Sequence, residues 1–190
     1  MKPSDPRALQ LAHRVESTYA ALDRYSDQGV MNLVGDHRLA SFRFETRFRS
    51  PDQFSFQTSK PKAPATRVWV EGGQAMLRKG NQDKRVASIT EAFVEMSGGS
   101  DSPGEVGLIA ASLLMPRLLE SNLLSSMWQI LWTGERTWEG RKYSVIQGTI
   151  LPGEEIEFWI NPTTFLIERT RHPGATEGSS VDIIIHPHRD

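Results

Sequence analysis

The chain has 190 residues, no cysteine, and 22 basic against 23 acidic residues, which gives a formal net charge of −1. A nearly neutral chain lacks the basic excess that is usual in nucleic-acid-binding proteins, and the absence of cysteine excludes disulfides and zinc–cysteine sites. The length is typical of one domain with a core of its own. No segment approaches the roughly 20 apolar residues of a membrane-spanning helix, so no transmembrane segment is predicted.

The first predicted element is an amphipathic helix over residues 8–24. Asp5 and Pro6 suit a helix cap and a first helical turn. Apolar residues then recur at helical spacing, namely Leu9, Leu11, Ala12, Val15, Tyr19 and Leu22. The residues before this helix contain no apolar run behind Lys2, so the chain as given carries no predicted signal peptide.

A first group of strands is predicted over residues 29–87, and its clearest part is a two-stranded unit. Aromatic and charged residues alternate strictly, with Phe42, Phe44, Thr46 and Phe48 on one side and Arg43, Glu45, Arg47 and Arg49 on the other. After a turn at Pro51 and Asp52, Phe54 and Phe56 continue the apolar side. Successive strand side chains face opposite sides of a sheet, so one face is aromatic and must be covered by helices or by an apolar ligand.

The middle of the chain, residues 89–119, is predicted to be a helical insertion. The glycine-rich connector at 98–104 leaves the backbone many accessible conformations. The helix after it carries Leu108, Ile109, Leu113, Leu114 and Met115. An apolar helix on a loose connector suits a lid over a cavity, and it equally suits a static core helix after a surface loop. The sequence leaves both interpretations open.

A second group of strands is predicted over residues 127–186, where short strand patterns are separated by turn residues. This spacing is typical of an antiparallel meander. The order of helix, strands, helices and strands therefore predicts a mainly β (α+β) domain over residues 1–190. It would hold a single curved antiparallel sheet of about ten strands. The N-terminal helix and the mid-chain helical insertion would cover the concave face of that sheet.

The ordered series of segments resembles the LolA/LolB-like lipoprotein-carrier superfamily, including its lipoprotein-sorting-like members. The resemblance spans most of the chain, from about residue 9 to residue 186, and no single motif carries it alone. The resembling segments are residues 25–30, the phenylalanine-rich strand pair at 44–56, residues 68–74 with a turn at Glu71 and Gly72, residues 138–143, and residues 157–162 with Asn161 and Pro162.

This resemblance implies an open half-barrel whose concave face is closed by helices over a hydrophobic cavity. It implies a non-enzymatic carrier or binding protein for a lipid, lipoprotein acyl chains or another apolar ligand. The location it implies is the periplasm of a Gram-negative bacterium, after removal of a signal peptide, and no cofactor is expected. Dedicated lipoprotein carriers usually have an arginine that holds the lid helices. Arg43, Arg47 and Arg49 fall near the right region, but alternation places them on the polar face.

The candidate cavity-lining residues follow from the aromatic strands and the apolar insertion. They are Phe42, Phe44, Phe48, Phe54, Phe56, Met96, Leu108, Ile109, Leu113 and Met115. Ordinary core packing explains the same side chains, because each buried one contributes roughly 1.5–3 kcal/mol without any ligand.

Two other function classes remain open at this stage. One is an envelope sensor or protein-interaction module of the same fold, with an envelope protein as its partner. The other is an esterase-type hydrolase, but Ser112, Ser125 and Ser126 lie in no Gly-x-Ser-x-Gly elbow. His186 and His188 alone make too few ligands for a metal site. The sequence therefore predicts neither catalytic residues nor a metal site.

Overall fold

The fold is that of a computed structural model, which describes residues 3–35, 38–59, 64–97, 103–120, 122–151, 154–174 and 178–188. Its helices are α1 (Pro6–Ala20), α2 (Ile89–Ser97), α3 (Pro103–Leu114) and α4 (Pro116–Leu119). Its strands are β1 (Arg24–Gly35), β2 (Arg38–Arg49), β3 (Gln53–Ser59), β4 (Thr66–Glu71), β5 (Gln74–Lys79), β6 (Gln82–Val86), β7 (Gln129–Trp138), β8 (Arg141–Leu151), β9 (Glu154–Ile160), β10 (Ile167–Pro173) and β11 (Ser180–His188).

These strands form one antiparallel sheet in the order β6-β5-β4-β3-β2-β1-β11-β10-β9-β8-β7. The two sequence groups meet in the middle of this sheet, where β1 pairs with β11 and Met31 lies opposite Ile183. The sheet is not closed, and with its helices it forms an open half-barrel. The predicted fold class is thereby confirmed.

The boundaries differ from the prediction at the start of the chain. Helix α1 ends at Ala20 instead of residue 24, and β1 begins at Arg24 instead of residue 29. The capping carboxylate of Asp5 accepts hydrogen bonds from the backbone of Arg7 and Ala8. At the other end, the carbonyl of Asp23 accepts a hydrogen bond from Ser50 N, so the chain has already entered the sheet there.

The sheet has eleven strands where about ten were predicted, and β6 is the strand with the weakest sequence pattern. Its first four residues are exposed and polar, and only Val86 is buried. Edge strands often carry charged side chains that discourage pairing with other chains. Because such a strand shows no apolar alternation, its pattern is that of a loop.

The two faces of β2 and β3 are as different as the alternation predicted. Phe42, Phe44, Phe48, Phe54 and Phe56 are buried, whereas Arg43, Arg47 and Arg49 are exposed on the opposite face. The helices cover the phenylalanine face. Phe93 of α2, for example, packs edge-on against Phe54 and Phe56, with ring centroids 6.2 and 5.7 Å apart.

The outer face of the second strand group carries a smaller apolar layer. Tyr143, Val145 and Trp159 are buried there, with Trp138 packed against them. The guanidinium of Arg169 lies 4.6 Å from the ring centroid of Trp138 and forms a bidentate ion pair with Asp182. This layer is separate from the main core under the helices.

Candidate functional site

An apolar cavity lies between α3 and the middle of the sheet. It is lined by Tyr19, Tyr25, Asp27, Phe44, Thr46, Val106, Ile109, Ala110, Leu113, Ile167, Thr170, Ile183 and Ile185. Its free volume is about 20 Å³, which is roughly the space of a single water molecule. Pockets for small ligands are typically about 300–1,000 Å³. The cavity as it stands has no room for an acyl chain.

The floor of this cavity holds a buried polar cluster on an otherwise apolar surface. Asp27 is 3% exposed, accepts a hydrogen bond from the Tyr25 hydroxyl at 2.7 Å, and accepts another from Thr46 N at 3.2 Å. Tyr19 reaches the cavity from α1, and its hydroxyl accepts a hydrogen bond from Ile167 N at 3.2 Å. The cluster therefore joins α1, β1, β2 and β10.

Burial dominates the ionisation of these groups. It raises the pKa of Asp27 from 3.8 to about 6, against smaller lowering effects from Thr46, Tyr25 and His188. Burial likewise raises the pKa of Tyr19 and of Tyr25 well above the usual tyrosine value, so both phenols stay neutral. Asp27 is thus the group in this cluster that changes charge near neutral pH.

Asp27 makes the stability of the protein depend on pH in a defined direction. Because its native pKa lies above the unfolded value, its stabilising contribution is complete below about pH 4 and is lost as the pH rises through about 6. The pKa shift corresponds to about 2–3 kcal/mol. We expect the free energy of unfolding of Asp27→Asn, relative to wild type, to rise by that amount between about pH 4 and pH 7.

Urea unfolding of both proteins across this pH range measures the difference. The other ionisable groups are common to both proteins, so the difference isolates the contribution of Asp27. A difference that stays constant with pH would contradict the buried position of Asp27.

The structure brings only some of the predicted cavity residues to the cavity. Phe44, Ile109 and Leu113 line it. Phe42, Phe48, Phe54, Phe56 and Met115 are buried in the core outside the cavity lining, and Met96 and Leu108 are partly buried against that core. Contact between these seven side chains and a ligand stays a prediction that would require the cavity to widen.

Sequence reasoning missed most of the lining, including Asp27, Thr170 and the isoleucines of β10 and β11. One signal was available in the alternation of β1, where Tyr25, Asp27, Gly29 and Met31 share the inward face. An aspartate in such a register is buried, whatever its usual preference for turns.

Helix α3 packs closely against Phe93 and Phe56 at Gly107. A Cβ atom at Gly107 would lie 2.2 Å from Phe93 Cε1 and 2.8 Å from Phe56 Cδ1. Near its start, Glu105 places Oε1 at 3.4 Å from Nε2 of His172 on β10. The helix is thus held by close apolar packing and one polar contact, and the exposed arginines of β2 lie on the opposite face. The predicted movable segment 98–119 includes residues 98–102, which lie outside the described residues.

The residues that line the cavities bear on the esterase alternative. The lining residues that the structure describes include no serine and no histidine. Ser112 lies on α3 and lines a different groove, together with His13 and Glu16. Across the described part of the chain, no three histidine, aspartate or glutamate side chains group in a way that could hold a metal ion. Within the same residues, no helix is both long and apolar enough to span a membrane.

No protein-family model and no curated protein matches the chain. Among solved structures, it is similar to the lipoprotein LppX of Mycobacterium tuberculosis, with 15% identity, a TM-score of 0.53, and coverage of 96% of this chain and 95% of that one. It is also similar to MucB in the MucA/MucB complex of Pseudomonas aeruginosa, with 14% identity, a TM-score of 0.52, and coverage of 96% of this chain and 58% of that one.

A third similar structure is a LolA superfamily protein from Nitrosomonas europaea, with 9% identity, a TM-score of 0.48, and coverage of 96% of this chain and 94% of that one. At such low identities these likenesses show the fold alone. The chain has a LolA-like fold.

Proposed function

We propose that this chain is a non-enzymatic binding or carrier protein for a lipid, lipoprotein acyl chains or another apolar ligand in the bacterial envelope. The observation that carries the proposal is the closed apolar cavity, whose roof is a single helix. Helix α3 supplies Val106, Ile109, Ala110 and Leu113 to the lining, and the sheet supplies most of the rest. Movement of this one helix away from the sheet would turn a space for one water molecule into an open apolar groove.

The energetics of α3 suit a lid that opens only for a ligand. Val106, Leu113 and Leu114 are buried, and each contributes roughly 1.5–3 kcal/mol by leaving water. Opening in water would expose this area together with Phe44 and the isoleucines opposite. An apolar ligand that takes the place of the helix would restore much of the lost burial, so ligand and helix would compete for the same surface.

The location in the envelope belongs to the same proposal. One of the similar proteins, LppX, is a lipoprotein, which favours this location. A periplasmic position would give a lipid carrier access to membranes on both sides. Removal of a signal peptide before the protein reaches that compartment is part of the proposal.

Hydrogen exchange tests the lid directly. We expect amides from Val106 to Leu114 to exchange faster than those of the central strands β1 and β2 in the free protein. The protein is then saturated with an uncharged naphthylamine dye, which fluoresces in apolar surroundings. The exchange rates of the amides from Val106 to Leu114 should change markedly, while the amides of β1 and β2 stay protected. The physical reason is that local opening exposes the amides of the moving helix and spares the rest of the sheet.

The opposite result has a clear meaning. If α3 amides are as protected as those of β1 and the dye leaves them unchanged, α3 is a static core helix. Native mass spectrometry of freshly purified protein gives an independent measurement, because a bound lipid would add a discrete mass. Absence of both dye binding and bound lipid would contradict the carrier proposal.

A protein-interaction or sensor role is the second candidate. It is favoured by the similarity to MucB, whose structure is a complex with MucA. This chain also has a groove of about 300 Å³ beside α4, lined in part by Ile89, Leu118 and Leu119, and Leu118 is 47% exposed. If this role is correct, Leu118→Glu should abolish binding of the partner protein and leave dye binding unchanged.

A further inference from the structure

The cavity contains two buried threonine hydroxyl groups, and that of Thr46 lies beside Asp27, where it lowers the pKa of the carboxyl group. Oγ1 of Thr46 and Oγ1 of Thr170 are buried and have no hydrogen-bond partner among the described residues. Thr46 is 0% exposed and Thr170 is 1% exposed, and both line the cavity. A buried polar group without a partner destabilises a protein, so natural structures keep few of them. Valine would fill either position at similar volume.

Asp27 adds an acceptor to the same cavity. Its two oxygens each receive one hydrogen bond, from the Tyr25 hydroxyl and from Thr46 N. A carboxylate has roughly four lone-pair positions, so each oxygen can accept a further hydrogen bond. Three polar residues on β1, β2 and β10 thus face a cavity that is otherwise lined by isoleucine, leucine, valine, alanine and aromatic rings.

We propose that Asp27, Thr46 and Thr170 form a polar subsite for the hydrogen-bond-donating, uncharged or cationic end group of a single-chain amphiphile. This inference rests on the proposed binding function and names the ligand class for the same cavity. The alkyl chain would lie along Ile109, Ile183 and Ile185. The end group would donate a hydrogen bond to Asp27 and would satisfy the threonine hydroxyls, which can both donate and accept.

The charges of the cavity decide against an anionic end group. Among the lining residues that the structure describes, Asp27 is the one with a charged side chain, and the nearby His188 does not line the cavity. A carboxylate or a phosphate would face the negative charge of Asp27 in an apolar surrounding, where like charges repel strongly. An alcohol or an alkylammonium end group would not be repelled by the negative charge of Asp27.

A series of single-chain amphiphiles of nearly equal length tests the subsite. Decanol, decylammonium and decyl methyl ether share a ten-carbon chain, decanoate has nine chain carbons before its carboxylate, and the four differ in their end groups. Each is titrated against protein saturated with the naphthylamine dye, at a pH well above the pKa of Asp27. We expect decanol and decylammonium to displace the dye at concentrations at least about tenfold lower than the ether, because only they donate a hydrogen bond. Decanoate should compete more weakly than decanol.

Two variants test whether Asp27 and Thr170 cause the preference for decanol over the ether. In the double variant Asp27→Asn/Thr170→Val, the ratio of the decanol and ether affinities should fall severalfold, because the carboxylate and one of the two threonine hydroxyls are lost while the weaker amide acceptor remains. The matched control is Thr58→Val, because Thr58 also has a buried hydroxyl without a partner but does not line the cavity. This control should keep the full preference for decanol.

The stability of the single variant Thr170→Val separates a ligand subsite from a structural role. Removal of an unpartnered hydroxyl should leave the melting temperature of the free protein unchanged or raise it. If the melting temperature falls and the decanol preference survives, Thr170 is structural and the subsite inference is wrong.

The remaining outcomes distinguish failure of the subsite from failure of the binding function. If all four amphiphiles displace the dye equally, or if decanoate binds best, the subsite is overturned and the apolar binding function stands. If wild-type protein binds neither the dye nor any of the four, the binding function itself fails, and the subsite fails with it.

Discussion

Substitution of Phe56 with glutamate is expected to abolish stable folding. Phe56 is 0% exposed, stacks on Phe44 and packs edge-on against Phe93, with ring centroids 5.8 and 5.7 Å away. Loss of a buried phenylalanine costs about 3–5 kcal/mol, and an unpaired buried carboxylate adds several more. Natural domains have only about 5–15 kcal/mol to lose. Circular dichroism and urea unfolding measure the result.

The matched control is the next residue along β3. Gln57 is exposed on the opposite face of the same strand, so Gln57→Glu introduces the same carboxylate into water. We expect its free energy of unfolding to stay within about 0.5 kcal/mol of wild type. A folded Phe56→Glu protein of near wild-type stability would mean that the phenylalanine face is not the packed core described above.

Substitution of Gly107 with leucine is expected to tighten dye binding while it destabilises the protein. The Cβ atom alone would come within 2.2 Å of Phe93 Cε1 and 2.8 Å of Phe56 Cδ1, so α3 could no longer sit in its place. Overpacking of this kind costs typically 1–3 kcal/mol. A loss of about 2 kcal/mol from the closed state would raise the open fraction about thirtyfold, and the apparent affinity would rise with it.

The control for this experiment is a variant that destabilises the protein elsewhere. Val145 is 0% exposed and lies in the separate apolar layer on the outer face of the sheet. Val145→Ala should lower stability by about 1–3 kcal/mol and leave the dye affinity unchanged. Weaker dye binding by Gly107→Leu than by Val145→Ala would show that α3, in its closed position, is part of the binding site and not its lid.

The sheet was predictable from sequence wherever one face of a strand is uniformly apolar. Phe42, Phe44 and Phe48 give β2 its register because a slip of one residue would expose all of them. Edge strand β6 has no such pattern, since its charged residues face water on both sides. The extent of α1 was overestimated because Leu22 continues the helical spacing of Val15 and Tyr19 past the true helix end at Ala20.

The site was less predictable, because it depends on contacts between distant parts of the chain. Asp27 and Thr46 are paired residues on neighbouring strands. Thr170 lies on β10, more than a hundred residues further along the chain. Neither hydrophobic periodicity nor turn chemistry marks a polar residue on an inward strand face. The predicted residues that do line the cavity, namely Phe44, Ile109 and Leu113, were found because they are apolar and periodic.

Photo-crosslinking with a diazirine-bearing decanol tests the central claim most directly, because it reports where the ligand lies. We predict labels on α3, at Ile109 or Leu113, and on the facing strands, at Phe44, Ile183 or Ile185, and unlabelled decanol should compete for all of them. Labels confined to other surfaces, such as the groove at Leu118, or labels that decanol does not displace, would contradict binding in the cavity beneath α3.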